Sequence, residues 1–496
     1  MRNLTRRLAR IHLLLALVIS WLLWWVLLSG SLSFYRAELD RWQHPVLAAQ
    51  QGPLPAAALS AQQGLRYLAT QAPTATQWYL QLPTQRQPYL TVHWQLPASP
   101  QTQGSGGRFR SGPFYQQWLS ADGKVALAPP QQVKAGDHRH QLGGLFFQLH
   151  YSLLQAAGPY SRSLVAYLAL LWLLLSLTGL YSLRGRFRQL WRWRLAGMPS
   201  AQQQRLRHQQ WALLSLPFML VFAATGWLTQ ILSENPAPLQ QLYPQGSAEF
   251  YQQLFPQPTR PADLAPQAHV LRADVLRADV TALTTQPNQQ LYQQLLLDAV
   301  PRLMQQATVT WQGKRVGKLN LNQPLQPQMQ LTLQSAAQDR IGNMPDSQYF
   351  ILQPQAETSA ALSWQQLPVT TTSHTLPAAQ LRDDGYGLHQ SLFWGQTMRL
   401  LLFVSGLATC WMLWLGVRSW LQRQRAPYWP LWIRSGFLAV PTAMLLLCLL
   451  VPLATRWMPA LFGHFNLPQL LGLCWLLAFG GFMSFYLRQL RRQATS

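Results

Sequence analysis

Six apolar segments constrain this chain more than any other feature of its sequence. Each is long enough to cross a bilayer, which takes about 20 mostly apolar residues in a helix. Charged residues make up only 11% of the 496 residues, against about a quarter in a typical soluble domain. The sequence therefore predicts six transmembrane helices, at residues 1–34, 162–184, 208–233, 395–418, 432–455 and 466–488.

Basic residues mark one side of the predicted membrane. Arginines, without any Asp or Glu, occupy the N-terminal end of the first helix, the link at 185–207, the link near 419–431 and the C-terminal end. Short arginine-rich links lie on the cytoplasmic side, so we expect both termini to be cytoplasmic. This topology, with attraction to anionic lipid, accounts for the net charge of +24. We therefore expect a lipid bilayer as partner and no nucleic acid.

The two long segments on the other side, at 35–161 and 234–394, contain all fifteen acidic residues. Strand-like alternation occurs in "YLTVHWQLP" and "MQLTLQSA", and helical stretches are expected near 57–71 and 288–306. The predicted fold is thus a membrane α-helical bundle of six helices with two small α+β domains outside the membrane.

The chain also contains an internal duplication. Eighteen residues separate His12 from Gly30, and the same number separates His208 from Gly226. The second helix of each half repeats as well, because "LHYSL" at 149–153 matches "LHQSL" at 388–392. The matched glycines and arginines that follow these motifs are Gly158 with Arg162, then Gly179, in the first half, and Gly395 with Arg399, then Gly416, in the second. We interpret the chain as a helix–domain–helix unit built twice, followed by a final helix pair.

Four histidines occupy duplicated positions at helix ends. His12 and His208 are predicted at the cytoplasmic ends of helices one and three, and His150 and His389 at the outer ends of helices two and four. Ionisable groups in membrane segments usually face a partner or cavity. Two facing imidazoles can hold a haem iron axially. The pattern predicts two haem b groups, since the chain has no CxxC for covalent attachment.

Arginines near these histidines are candidates for haem propionates. Arg162 and Arg399 suit the outer haem, and Arg7, Arg10, Arg205 and Arg207 the inner one. The simpler alternatives are interfacial histidines, arginines that reach the headgroups and glycines that only permit close helix packing. Because 18 residues of helix span roughly 27 Å, the haems must tilt inward, or helix two must break at Gly158-Pro159 and return His150 toward the core.

These residues resemble the PepSY-associated transmembrane family of bacterial inner-membrane proteins. The resemblance rests on the arginine-led His12, the following "SGSLSFYRAELD", the two "LH…SL" motifs with their glycines and arginines, and the "ADGK" segment, and it covers most of residues 1–420. Some members are ferric-siderophore reductases with two b-type haems. The resemblance implies PepSY-like periplasmic domains and His12, His150, His208 and His389 as iron ligands.

It also implies an activity, in which electrons cross the inner membrane and reduce ferric-siderophore complexes in the periplasm, releasing Fe(II). No Rossmann GxGxxG motif is present, so we expect the donor to be a quinol or a separate protein. Two other functions stay open. One is a haem-free, membrane-anchored module that binds peptides or a protease, and the other is a quinol-linked cytochrome b with a different periplasmic acceptor.

Overall fold

The computed structural model describes residues 2–98, 112–133, 141–183, 198–234, 243, 250, 287–327, 329–336, 341, 345–355, 358–367, 377–390, 395–424, 428–458 and 466–495. Most of the predicted link at 185–207 and much of the predicted domain at 234–394 lie outside this part of the chain.

Within the part of the chain that the structure describes, six helices are long and apolar enough to cross a membrane, which confirms the six predicted spans. They are α1 (Arg2–Ser33), α6 (Ser161–Ser182), α7 (Ser200–Glu234), α10 (Gly395–Leu421), α11 (Trp429–Trp457) and α12 (Leu467–Thr495). The shorter helices are α2 (Arg36–Gln43), α3 (Pro45–Ala48), α4 (Ala57–Gln71), α5 (Leu142–Ser152), α8 (Pro287–Thr310) and α9 (Pro377–Gln390).

The duplication is visible in how the helices pack. Helix α1 packs against α5, α6 and α10, and helix α7 packs against the equivalent elements α9, α10 and α6. The first four spans therefore form a bundle in which the two halves exchange equivalent contacts. Helices α11 and α12 pack mainly against each other, and α11 also contacts α1 and α2.

The second predicted helix is interrupted before its membrane span. A break near Gly158-Pro159 was one of the two arrangements expected from the sequence. Helix α5 carries His150 and ends at Ser152, and α6 begins only at Ser161. The chain turns between them through two short 3-10 segments, with φ of 46° at Leu153, 55° at Leu154 and 56° at Gly158. In the second half, Gly395 at the start of α10 also has a positive φ, of 57°. Helix α5 packs along α1, and helix α9 packs along α7.

One antiparallel sheet joins the two extramembrane segments. Its strands are β1 (Gln77–Gln81), β2 (Tyr89–Gln95), β3 (Phe114–Ser120), β4 (Gln131–Val133), β5 (Val316–Asn322), β6 (Gln330–Ser335), β7 (Ser347–Gln355) and β8 (Thr358–Leu367), in the order β4-β3-β2-β1-β5-β6-β7-β8. The two α+β domains expected from the sequence differ from this arrangement, because β1 pairs with β5 over five residues and merges both halves into one sheet.

Alternation within the strands explains how this sheet is covered. Trp78, Leu80, Leu319 and Leu321 face one side and are almost fully buried, and helices α4 and α8 pack over that side. The side chains between them on each strand point to the opposite face. Each half thus contributes one helix and four strands to a shared hydrophobic core.

Candidate functional site

His150 and His389 meet end to end between the two halves of the bundle. Their Nε2 atoms lie 3.3 Å apart, and their ring planes differ by 22° with centroids 5.7 Å apart. Helix α5 brings His150 alongside α1, and helix α9 brings His389 alongside α7. The duplication thus places these equivalent side chains opposite each other, as the sequence predicted for this pair.

Hydrogen bonds fix the tautomer of both rings. Nδ1 of His150 is 2.9 Å from the Val26 carbonyl oxygen, which can only accept, so this nitrogen carries the proton. Nδ1 of His389 is 2.9 Å from the Thr225 hydroxyl. That hydroxyl donates to the Val221 carbonyl at 2.5 Å and therefore accepts from His389. Both Nε2 atoms are consequently unprotonated acceptors, and they face each other.

The environment keeps both rings neutral. His150 and His389 lie on short helices outside the six candidate spans. Burial lowers the pKa of both imidazoles, and for His389, where the His150 ring adds to the effect, the pKa falls to about 3. A neutral imidazole is the form that ligates a metal.

The His12–His208 pair lies at the other end of the bundle, and its rings are also hydrogen-bonded through Nδ1. Nδ1 of His12 lies 3.1 Å from the Leu175 carbonyl, and Nδ1 of His208 lies 2.8 Å from the Met412 carbonyl. The two rings are close enough to interact electrostatically. Their Nε2 atoms are again left as acceptors, because carbonyl oxygens take the protons on Nδ1.

Each of the four histidines rests on a glycine of a neighbouring helix. A Cβ at that glycine would come within 2.6 to 3.2 Å of the imidazole, closer than side chains ordinarily approach. The pairs are His12 with Gly179, His150 with Gly30, His208 with Gly416 and His389 with Gly226. The glycines predicted as possible packing positions are therefore the contact surface of the histidines.

The two predicted propionate arginines have different partners here. Arg162 is exposed, and its guanidinium lies 5.3 Å from the centre of the Tyr151 ring, next to His150. Arg399 has only 11% of its side chain exposed and lies 3.6 Å from Glu38. Glu38 also binds Arg86 at 2.8 Å, which connects the β1–β2 turn to helix α10. Their role toward a haem stays a prediction.

Of the arginines predicted for the inner haem, Arg205 is near enough to His208 to affect it electrostatically. Arg7, Arg10 and Arg207 have exposed side chains. They lie on the same helices, α1 and α7, as His12 and His208.

Sequence reasoning missed the residues that hold helix α5 in place. Asp40 accepts the backbone N–H of Gly143 at 2.7 Å, and the Gln43 side chain accepts that of Leu142 at 2.6 Å. These groups on α2 satisfy N–H groups that the first turn of α5 leaves unpaired. No local motif signals this cap, because about 100 residues separate its members in the sequence.

The spacing of His150 and His389 fits the two axial ligands of a haem. Two metal–imidazole bonds of about 2 Å each require Nε2 atoms about 4 Å apart, so the rings of His150 and His389 need to separate only slightly. Two bare acceptors 3.3 Å apart repel each other unless an electrophile lies between them. Among the described residues, no group of three or more His, Cys, Asp or Glu side chains converges. Haem brings four nitrogens of its own and needs only two axial ligands.

Comparison with known proteins identifies the family. The model of the family described as the PepSY-associated TM region matches residues 9–423. The chain therefore belongs to this family, as the resemblance predicted. No curated protein matches the chain.

Proposed function

We propose that this member of the PepSY-associated TM family is a di-haem b oxidoreductase of the bacterial inner membrane. It passes electrons across the bilayer and reduces ferric-siderophore complexes in the periplasm, which releases Fe(II). One observation carries the proposal: two pairs of histidines, each ring with Nδ1 hydrogen-bonded, rest on glycines at equivalent places in the duplicated bundle.

The residues of this chain would hold each haem from both halves. His150 and His389 would be the axial ligands of one haem, and His12 and His208 those of the other. Bound haem supplies one-electron transfer at iron. Hydrogen bonds from Nδ1 to Val26, Thr225, Leu175 and Met412 orient the rings and raise the basicity of Nε2.

Family membership supports the membrane location, and the histidine pairs support the redox role. The ferric-siderophore substrate rests on the family resemblance, in which some members have this activity. We expect the sheet to face the periplasm, because its strands lie within the acid-containing segments and the arginine-rich links lie at the other ends of the spans.

Haem content tests the proposal first. The full chain is purified in detergent after expression with ample haem, and a pyridine haemochrome measures haem b per chain. We expect about two haems per chain, and a dithionite-reduced spectrum of bis-histidine ligation. A ratio near zero would refute the redox function. Intact haem with no reduction of any ferric siderophore would instead favour a quinol-linked cytochrome with another acceptor.

The haem-free binding module has one observation in its favour. The sheet face opposite α4 and α8 carries a row of rings, in which Phe114 lies 5.4 Å from His93 and 5.9 Å from Tyr79 between centroids. Cross-strand pairing puts His93 and Tyr79 side by side. A surface of this kind suits an extended peptide. Haem-free protein that binds unfolded peptide, and loses it in a Tyr79→Ala variant, would support that function.

A further inference from the structure

A cavity of about 580 Å³ lies among helices α1, α10, α11 and α12. This volume is within the roughly 300–1,000 Å³ of ordinary small-molecule sites. Its walls include Ser20 and Trp21 from α1, Trp420 from α10, Trp432 from α11, and Trp475 and Phe479 from α12. Helices α11 and α12 lie beyond the family region that ends at residue 423. Together with α1 and α10 they form this open, largely apolar cavity.

The walls are unusually rich in aromatic rings. The Trp475 and Phe479 rings stack with centroids 5.3 Å apart, and Trp21 meets Trp475 edge-on at 6.1 Å. Trp432 lies 5.5 Å from Phe479. Aromatic walls favour a flat ring, because ring faces and edges attract one another beyond simple burial.

A polar group in these walls lacks a partner. The indole N–H of Trp475 is buried without a hydrogen-bond acceptor among the described residues. In contrast, the indole N–H of Trp24, on the adjacent part of α1, donates to the Phe437 carbonyl at 2.9 Å. Ser20 adds a hydroxyl whose bond to the Leu17 carbonyl is long, at 3.4 Å. The Trp475 N–H is closed off even from water, so an occupant of the cavity would not reach it. Ser20 lines the cavity, and its hydroxyl is the group that an oxygen atom on a flat ring would meet.

The cavity adjoins the His12–His208 pair. Its lining residue Val417 directly follows Gly416, on which His208 rests. On α1, the lining residue Leu17 is five positions after His12, which is about 7.5 Å of helix rise. The cavity therefore begins close to this pair along both α1 and α10.

We infer that this cavity binds the headgroup of a membrane quinol, the electron donor for the activity proposed above, on which the donor role rests. Each quinol becomes a quinone by giving up two electrons and two protons. Two ferric chelates take one electron each and become ferrous, and the protons pass to water. Occupancy by a quinol also gives helices α11 and α12 a function beyond shielding the bundle.

Photolabelling of the full-length protein in phospholipid nanodiscs tests the site. The probe is an arylazido derivative of decylubiquinone, and labelled peptides are mapped by mass spectrometry. We expect saturable labelling of peptides from α11 and α12, which unlabelled decylubiquinone suppresses. Leu476→Trp fills the cavity from a residue that lines it, and we expect labelling to fall at least tenfold.

Leu477→Trp is the matched control. Leu477 is the next residue of the same helix, and it is similarly exposed, at 66% against 59% for Leu476, but it does not line the cavity. Labelling in this variant should equal that of the parent.

Labelling that does not saturate, or that Leu476→Trp leaves unchanged, would overturn the inference and indicate a site for lipid only. Haem content measured on the same preparations separates this result from failure of the proposed function. Normal haem with no saturable label refutes the quinol site alone. Saturable label without haem refutes the oxidoreductase and its donor role, and leaves a quinone-binding site.

Discussion

The two halves of the duplicated bundle present their histidines in the same place but secure them differently. In the first half, the Val26 carbonyl accepts a hydrogen bond from His150, and the hydroxyl of Ser29, which precedes Gly30, donates to the Trp25 and Val26 carbonyls. In the second half, the hydroxyl of Thr225, which precedes Gly226, accepts the hydrogen bond from Nδ1 of His389. The duplication therefore preserved the histidine and its glycine, while the partner of Nδ1 changed from a backbone to a side-chain oxygen.

The comparison also extends to the helices that carry the histidines. Helix α5 begins against Asp40 and Gln43 of α2, which cap its first turn. Helix α9 instead packs along α7, and Gly385 makes its close approach to Leu228 there. Equivalent ligand positions thus depend on different supports, so matched substitutions in the two halves should have unequal effects.

Removal of one ligand should have the largest effect. We expect His389→Ala to lower haem from two to one per chain and to abolish reduction of ferric siderophores, because His150 alone cannot clamp an iron from both sides. His150→Ala should do the same. Pyridine haemochrome measures the loss, with His44→Gln, at a histidine next to Trp118 in the extramembrane part, as control. Full haem content in His389→Ala would show that the ligands are assigned wrongly.

The next largest effect should come from alanine at the glycines that contact the histidines, and the loss of haem should differ between the two halves. A Cβ at Gly30 would lie 2.6 Å from Nδ1 of His150, whereas one at Gly226 would lie 3.2 Å from Cε1 of His389. Gly30→Ala should therefore displace its histidine and lose most of one haem, while Gly226→Ala should retain most of it. Haem content and the reduced spectrum compare the two variants. Equal losses would mean that the glycines act through helix packing instead of through the imidazoles.

The hydroxyl of Thr225 should have a smaller effect that is confined to one half. Thr225→Val keeps the side-chain shape and removes the acceptor for Nδ1 of His389. Loss of such a supporting hydrogen bond typically costs about 10- to 100-fold in metal-site affinity, so we expect about tenfold faster haem transfer to apomyoglobin. Ser29→Ala, at the equivalent position, should change that rate much less, since its hydroxyl donates to the Trp25 and Val26 carbonyls and does not bind His150 directly. If both variants behave alike, the asymmetry between the halves has no functional effect.

The cap on α5 should give the smallest effect. Burial raises the pKa of Asp40 from 3.8 to about 6, so the folded protein favours the protonated carboxyl. This contribution to stability is complete below about pH 4 and is lost as pH rises through 6. Asp40→Asn keeps an acceptor for Gly143 and removes the buried charge, so we expect an unfolding midpoint higher by on the order of 1–2 °C at pH 7.5.

Thermal unfolding in detergent at pH 4 and pH 7.5 measures this difference. Asp40→Leu is the contrast, because it leaves the Gly143 N–H buried and unpaired at a cost of on the order of 1–3 kcal/mol. An Asp40→Asn variant less stable than the parent at pH 7.5 would show that the charged carboxylate, and not its acceptor oxygen alone, holds α5.

The sequence alone determined the parts of this protein that depend on local pattern and on repetition. Apolar length predicted six spans, and equal spacing of His12 with Gly30 and of His208 with Gly226 predicted the duplication. The facing of His150 and His389 also followed, because two copies of one unit place equivalent side chains at equivalent depth. These features can be predicted from sequence spacing alone, because a helix converts spacing along the chain directly into distance and direction.

Only the tertiary structure decided the contacts between distant segments. Pairing of β1 with β5 merges two expected domains into one sheet, and no residue in either strand specifies that neighbour. Asp40 meets Gly143, Glu38 meets Arg399, and Trp21 faces Trp475, each across a long stretch of chain. Such pairs form because packing must satisfy buried polar groups and fill space wherever the fold brings them together. Those requirements arise only in the assembled bundle, so no local pattern in the sequence predicts these pairs.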